Sequence, residues 1–116
     1  MKPVDFKEIK PEYLLGTWNV RERILSRSDP NSIYALANQH HFLPNGTYKV
    51  SHDAEVTGQW EVTAPADLIR NPLIRFNLNN EFTNAIITRL LCIDDCIGAE
   101  LTIYMSSGLE LILSKN

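Results

Sequence analysis

Long apolar runs are missing from this chain. No stretch approaches the roughly 20 apolar residues that a membrane-spanning helix needs, so no membrane span is expected. The opening, MKPVDFKEIKPEYLLG, carries charge throughout and has no apolar run of signal-peptide length. The expected location is therefore cytoplasmic. Cysteine is scarce: Cys92 and Cys96 flank Ile93-Asp94-Asp95. That spacing is not the redox C-x-x-C pattern. In an oxidising compartment the two thiols could bridge across the acidic turn, whereas in the cytosol reduced thiols are the expectation. There is no glycine-rich phosphate loop and no Gly-x-Ser-x-Gly, so neither a nucleotide site nor any other cofactor site is expected. Basic residues do not cluster either. Lys and Arg number 11 against 14 Asp and Glu, for a net charge of -3. A broad basic face for nucleic acid is excluded on that balance.

What remains is an ordinary globular composition, 44% hydrophobic and 22% charged over 116 residues. That is one domain, residues 1–116, with enough chain to bury a real core without staples. Residues 1–15 read as a short helical or irregular lead-in. Asp5 caps a turn through Ile9, Pro11 interrupts it, and Tyr13, Leu14 and Leu15 cover the open end of the main body.

After Gly16 the chain alternates with period 2, the mark of half-buried antiparallel strands. The first strand, about Thr17 to Ser26, puts Trp18, Val20 and Ile24 on one face with Glu22. Asn19, Arg21 and Arg23 take the other face. Gly16 allows a sharp turn, and the indole of Trp18 can plug one end with its N–H on a nearby carbonyl. The segment 27–32 is a polar loop with strong turn chemistry. A second strand, about Tyr34 to Leu43, aligns Leu36, Asn38, His40 and Phe42, although Ala35-Leu36-Ala37-Asn38 would also start a helix. Pro44-Asn45-Gly46 makes a hairpin into a third strand, about Thr47 to His52, with Tyr48, Val50 and His52 together.

The fourth strand, Val56 to Thr63, has the cleanest alternation: Val56, Gly58, Trp60 and Val62 inside. Residues 64–72 form a longer loop. A fifth strand, Leu73 to Asn79, points Ile74, Phe76 and Leu78 inward. In the sixth, Glu81 to Ile93, the pattern blurs. Phe82, Asn84, Ile86, Thr88, Leu90 and Cys92 share one face, while Ile87, Arg89 and Leu91 share the other. A helix over 84–91 competes, but the β-branched residues favour strand. Ala99 to Met105 and Leu109 to Ser114 complete the set. About eight short strands with tight turns predict an all-β protein, an antiparallel up-and-down barrel. Such a barrel is filled by side chains or holds one small ligand.

Three segments carry a family likeness. Leu14-Leu15-Gly16-Thr17-Trp18, Phe42-x-Pro-Asn-Gly-Thr-Tyr48 and Gly58-Gln-Trp60-Glu-Val62 resemble the small bacterial lipocalin-like domains of the calycin superfamily. In those, a Gly-x-Trp opens the first strand, a Phe-x-x-x-Gly-Thr hairpin joins the second and third, and a second Gly-x-Trp forms the fourth. The resemblance covers about residues 14–62 by motif and the remainder by strand count. It implies a lipocalin-like barrel and leaves the ligand unnamed. No basic partner for Trp18 can be assigned from the sequence.

With Trp18, Phe42, Tyr48 and Trp60 inward, the same parity carries Glu22, Asn38, His40 and His52 inward too. Adjacent strands lie about 4.8 Å apart, so Glu22 would pair with His40, and His52 would lie nearby. A carboxylate beside an imidazole in an apolar barrel orients a ligand or acts as an acid/base pair. The bland alternative is a satisfied polar cluster near an open end, and a register slip of one residue reverses every assignment. His41 faces away from His40, so the two do not make a metal site. Zinc on His40, His52 and Glu22 lacks any stronger ligand spacing, and no metal is expected.

Three functions follow. The leading one is a small barrel that binds an apolar or amphipathic ligand. Trp18, Phe42, Tyr48, Trp60 and Phe76 line it, and Glu22, Asn38, His40 and His52 orient the ligand. The second is a cyclase or isomerase using Glu22 and His40, a reading that rests on the calycin resemblance. The third is an interaction or inhibitor module, contacting partners through loops 27–32 and 64–72. In that reading Ile87 and Leu91 point outward as a homodimer face.

Overall fold

Asn79 and Asn80 both adopt left-handed backbone, with φ of 54° and 64°. Two such residues in succession twist a two-residue turn the way flanking strands need, so Leu78 returns directly opposite Glu81. Similar turn chemistry recurs at Asp53 (φ 58°), Asn45 (φ 66°) and Gly108 (φ 98°). A computed structural model describes residues 1–26, 30–63 and 71–115. The predicted loops 27–32 and 64–72 fall largely outside those residues.

Eight strands joined in antiparallel sequence close on themselves. They are β2 (Gly16–Leu25), β3 (Gln39–Phe42), β4 (Thr47–His52), β5 (Ala54–Thr63), β6 (Leu73–Leu78), β7 (Glu81–Ile93), β8 (Gly98–Met105) and β9 (Leu109–Lys115). β2 pairs with β9, and β7 with β8, which shuts the barrel. Closure leaves no long unpaired edge. A short β1 (Lys2–Pro3) adds to the far end of β7, where Lys2 sits opposite Cys92. The eight-stranded antiparallel barrel expected from the alternation is the observed architecture.

Most of the predicted parity holds. Trp18, Phe42, Tyr48, Val50, Trp60, Ile74, Phe76, Leu109, Leu111 and Leu113 are all buried. Two β-bulges break it elsewhere. One lies between Val20 and Glu22, the other between Ile87 and Arg89. Each inserts one residue, so every later side chain on that strand changes face. Past the first bulge Arg23, not Glu22, is paired with inward Leu111, although Glu22, Arg23 and Ile24 are all exposed at this end of the strand. In β7 the inward set is Ala85, Ile87 and Leu90. Ile87 is therefore core and not a dimer face, and Ile86 points outward in its place.

The second expected strand also divides. Ser32 caps a one-turn helix α2 (Ile33–Leu36) by accepting a hydrogen bond from the Ala35 amide at 3.2 Å, and β3 begins only at Gln39. The helical option for Ala35 and Leu36 wins because Ser32 supplies the N-cap oxygen.

One end of the barrel is sealed by the lead-in. Asp5 caps a single 3-10 turn over Phe6–Glu8, and Pro11 opens α1 (Pro11–Leu14). Leu14 is fully buried, and its carbonyl accepts the Trp18 indole N–H at 2.8 Å. Lys115, from the last strand, lies 4.9 Å from the centre of the Trp18 ring. Its ammonium donates to the carbonyls of Tyr13 (2.8 Å) and Leu15 (2.7 Å). A cation over an indole that also satisfies the open carbonyls of a short helix ties both chain ends to the plug. Burial lowers the Lys115 pKa from its ordinary value.

Cys92 and Cys96 are joined in a disulfide across the β7–β8 turn. Of the two states the sequence left open, the bridged one is present. Asp94, Asp95 and Cys96 run through three successive left-handed residues, φ 48°, 57° and 68°. That tight reversal brings the two sulfurs together.

Candidate functional site

At the end opposite the Trp18 plug, α2 lowers Tyr34 into the barrel mouth. Its ring lies 5.6 Å from Phe76 and 6.4 Å from Tyr48, nearly parallel to the latter at 19°. Beneath it Tyr48 packs on Phe76 at 4.8 Å and on Phe42 at 5.5 Å. Trp60 meets Phe42 edge-on at 5.0 Å and donates its N–H to the Leu43 carbonyl. These separations are those of packed aromatic pairs, so the protein's own rings fill this part of the interior.

His40 enters that cluster from β3. It lies opposite Trp18 on one side and Val50 on the other, and is fully buried. Its Nδ1 is 2.6 Å from the Tyr48 hydroxyl, and its Nε2 has no hydrogen-bond partner. Burial pulls the His40 pKa down to about 3, with the charges of His41 and Arg23 adding to the effect. The imidazole is neutral at physiological pH. One ring nitrogen is then a donor and the other an acceptor. Whichever tautomer serves Tyr48, Nε2 is left as a buried polar atom without a protein partner. The Tyr48 hydroxyl is pushed well above its ordinary pKa by burial, and then by Tyr34. Tyr34 is raised too, chiefly by burial, against a lowering hydrogen bond from Thr83.

Arg23 guards the mouth. The bulge in β2 turns it to the inward side. Its Nη2 donates to the Ala37 carbonyl (3.1 Å) and to Asn38 Oδ1 (3.3 Å). Those bonds hold the connection between α2 and β3 in place.

The predicted site residues thus separate into groups. His40, Phe42, Tyr48, Trp60 and Phe76 come together, and Trp18 lies beside His40 across β2 and β3 with its indole N–H turned to Leu14 in the lead-in. Asn38 is exposed and serves Arg23. Glu22 is exposed and lies opposite Ile112 on β9, so the expected Glu22–His40 pair does not form. His52 sits at the end of β4, its Nε2 3.6 Å from Asp53 Oδ2. It lines an open surface cleft of about 670 Å³ with Asn19, Gln39, Ser51 and Glu55. Among the described residues, no three His, Cys, Asp or Glu side chains converge as a metal site.

Arg23, Tyr34 and Lys115 escaped the sequence reading. Ser32 before Ile33-Tyr34 was the available signal for Tyr34, as an N-cap preceding an apolar run. Nothing in the periodicity marks a bulge.

Comparison with known proteins finds no matching family model, no matching curated protein and no matching solved structure. The barrel itself is consistent with a calycin-like fold. Among the described residues, no helix is long and apolar enough to cross a membrane.

Proposed function

We propose that the barrel is a lipocalin-like binding protein for a small apolar or amphipathic molecule, received under α2 with His40 as its polar anchor. One observation carries this reading: His40 Nε2 is buried among aromatic rings without a partner. An unpaired buried polar atom costs about 1–3 kcal/mol, and a ligand hydroxyl, amide or carbonyl reaching it would recover that loss. A neutral imidazole suits a neutral polar group. The aromatic rings of Phe42, Tyr48, Trp60 and Phe76 supply the apolar wall.

Tyr34 occupies the approach, so entry requires α2 to lift. The helix is one turn long and is held by the Ser32 cap and the Arg23 bonds. A four-residue helix has little stability of its own, so what lifting it must break is chiefly the packing of Tyr34 on Tyr48 and Phe76 and of Ala35 in the core.

Native mass spectrometry of protein purified from its own host, followed by denaturing analysis of whatever is released, tests the reading. A stoichiometric small molecule that is lost in His40→Phe, with the fold intact by circular dichroism, is the expected result. Empty wild-type protein that also fails to take up apolar probes in solution would remove the proposal. Retention of the same molecule by His40→Phe would remove His40 as the anchor.

A further inference from the structure

At the barrel end away from α2 the surface is indented. α1 and the Pro44–Gly46 turn, which joins β3 to β4, stand on either side of the last residues of β5. A cleft of about 390 Å³ lies between them. Leu15, Leu43 and Val62 line it together with Pro11 and Pro44. Local backbone sets its shape. Asn45 and Gly46 both take left-handed conformations, φ 66° and 76°, and bring the turn down onto β5. A Cβ on Gly46 would come within 3.2 Å of the Trp60 carbonyl oxygen, so glycine is what permits so close an approach.

Several polar groups that could meet a ligand here are already used. Trp60 donates its indole N–H to the Leu43 carbonyl at 3.0 Å, and the Leu43 amide donates to the Thr47 carbonyl at 2.8 Å. The Leu15 amide donates to the Glu12 carbonyl at 3.3 Å, and the Leu15 carbonyl accepts from Lys115 at 2.7 Å. Pro11 and Pro44 have no amide hydrogen to satisfy. The charged side chains on the cleft are Glu12 and Glu61, both acidic and both exposed. Neighbouring cations are engaged elsewhere. Lys10 lies 5.9 Å over the Tyr13 ring. Arg75 lies 4.2 Å over the Phe82 ring and reaches Glu61 only at 4.0 Å. Among the described residues Glu12 has no ion pair.

We propose that this cleft binds a small amphipathic cation, an amine carrying an aromatic or branched apolar body. The argument is charge complementarity at the rim of an apolar cavity. The cavity volume lies in the range of small-molecule sites. An apolar body gains by removing Leu15, Leu43, Val62 and the two proline rings from water. An ammonium stays at the rim, where the Glu12 and Glu61 carboxylates attract it. An anionic head group would be repelled by both, and a neutral one would gain nothing from their charge. The site shares neither His40 nor the α2 mouth with the barrel interior, so its fate does not depend on what the interior binds.

Amide chemical-shift titration with three probes of one shape tests the proposal: tryptamine, tryptophol and indoleacetate, which are cationic, neutral and anionic. Tryptamine is expected to shift the amides of Glu12, Leu15, Asn45 and Gly46 saturably at millimolar concentration. Tryptophol should bind more weakly and indoleacetate weakest. The double variant Glu12→Gln with Glu61→Gln should weaken tryptamine by about fivefold or more, the effect of two rim ion pairs, and leave tryptophol unchanged. Added salt should shrink the preference for tryptamine in the wild type. Both substitutions lie at exposed positions, and the dispersion of the same spectra checks that the fold is kept. Absence of saturable shifts at the cleft with all three probes would overturn the proposal. So would equal affinity for the three head groups, or a double variant that still prefers tryptamine. Shifts confined to α2 and β3 would place the amine in the barrel interior and overturn the cleft as its site. A capped Phe-Lys dipeptide binding more tightly than tryptamine would assign the cleft to a polypeptide and overturn the small-molecule reading.

Discussion

His40 and Tyr48 hold each other inside the barrel, with Nδ1 of the imidazole 2.6 Å from the phenolic oxygen. The bond fixes the ring and leaves Nε2 buried without a protein partner. Tyr48 can satisfy only one of the two nitrogens. That arrangement makes His40 both a binding element and a stability liability in acid.

The acid liability has a definite sign. The His40 pKa falls from 6.5 in the unfolded chain to about 3 in the fold. The unfolded chain therefore binds a proton below pH 6.5 that the folded protein refuses. Stability is fully present above pH 6.5 and is lost as pH falls toward 3, with a slope approaching about 1.4 kcal/mol per pH unit. Urea titrations of wild type and His40→Phe between these pH values should diverge, the variant showing the shallower loss. Parallel curves would show that His40 is not excluded from protonation.

Lys115 should matter more than its place near the end of the chain suggests. Lys115→Met keeps most of the stem but removes the ammonium from the Tyr13 and Leu15 carbonyls and from the Trp18 ring. Two charge-assisted bonds in a largely buried setting predict a loss of about 1.5–3 kcal/mol. Hydrogen exchange should localise the damage to α1. A change within measurement error would show that solvent replaces the ammonium without cost.

Gly58 is required where β5 crosses β6. A Cβ there would lie 2.1 Å from the Asn77 carbonyl oxygen and 2.5 Å from Leu78 Cδ2. Backbone cannot yield as a flexible side chain does. Gly58→Ala should cost about 2–4 kcal/mol in urea unfolding, the range for overpacking a closed site. Gly98→Ala is the control, since a Cβ there meets nothing closer than 3.8 Å.

The Cys92–Cys96 bridge should stabilise the β7–β8 turn and the strap next to it. Closing so short a loop is worth about 2 kcal/mol by chain entropy. Reduction with alkylation of the thiols should lower the urea midpoint accordingly. It should also speed exchange of the Val4 amide, which bonds to the Leu90 carbonyl at 2.9 Å beside the bridge. Unchanged exchange at Val4 would show that β1 is held without it.

Much of the barrel was legible because side-chain parity is a local property. Trp18, Phe42, Tyr48, Trp60 and Phe76 announce their face through their neighbours, and Asn79-Asn80 announces its turn. What failed was parity after an insertion. Arg23 and Ile87 exchange faces with Glu22 and Ile86 because a bulge shifts the count by one, and no residue type in either strand signals it. The candidate site suffered for the same reason, losing Glu22 and gaining Arg23. Tyr34 was hidden by a segment equally at home in strand or helix. Lys115 meets Trp18 from the last strand, and no local pattern connects positions so far apart.

The pairing of β2 with β9 sets Asn19 against Ser114. The barrel's first long strand therefore waits for its last one, and the ring stays open while the intervening strands are made. A fold sealed by so non-local a contact carries a high contact order, and such chains gain their closing contacts late and slowly. During synthesis the unclosed sheet exposes β2 as an edge until β9 arrives. Early association with a chaperone, or with a neighbouring nascent copy, would compete at that edge.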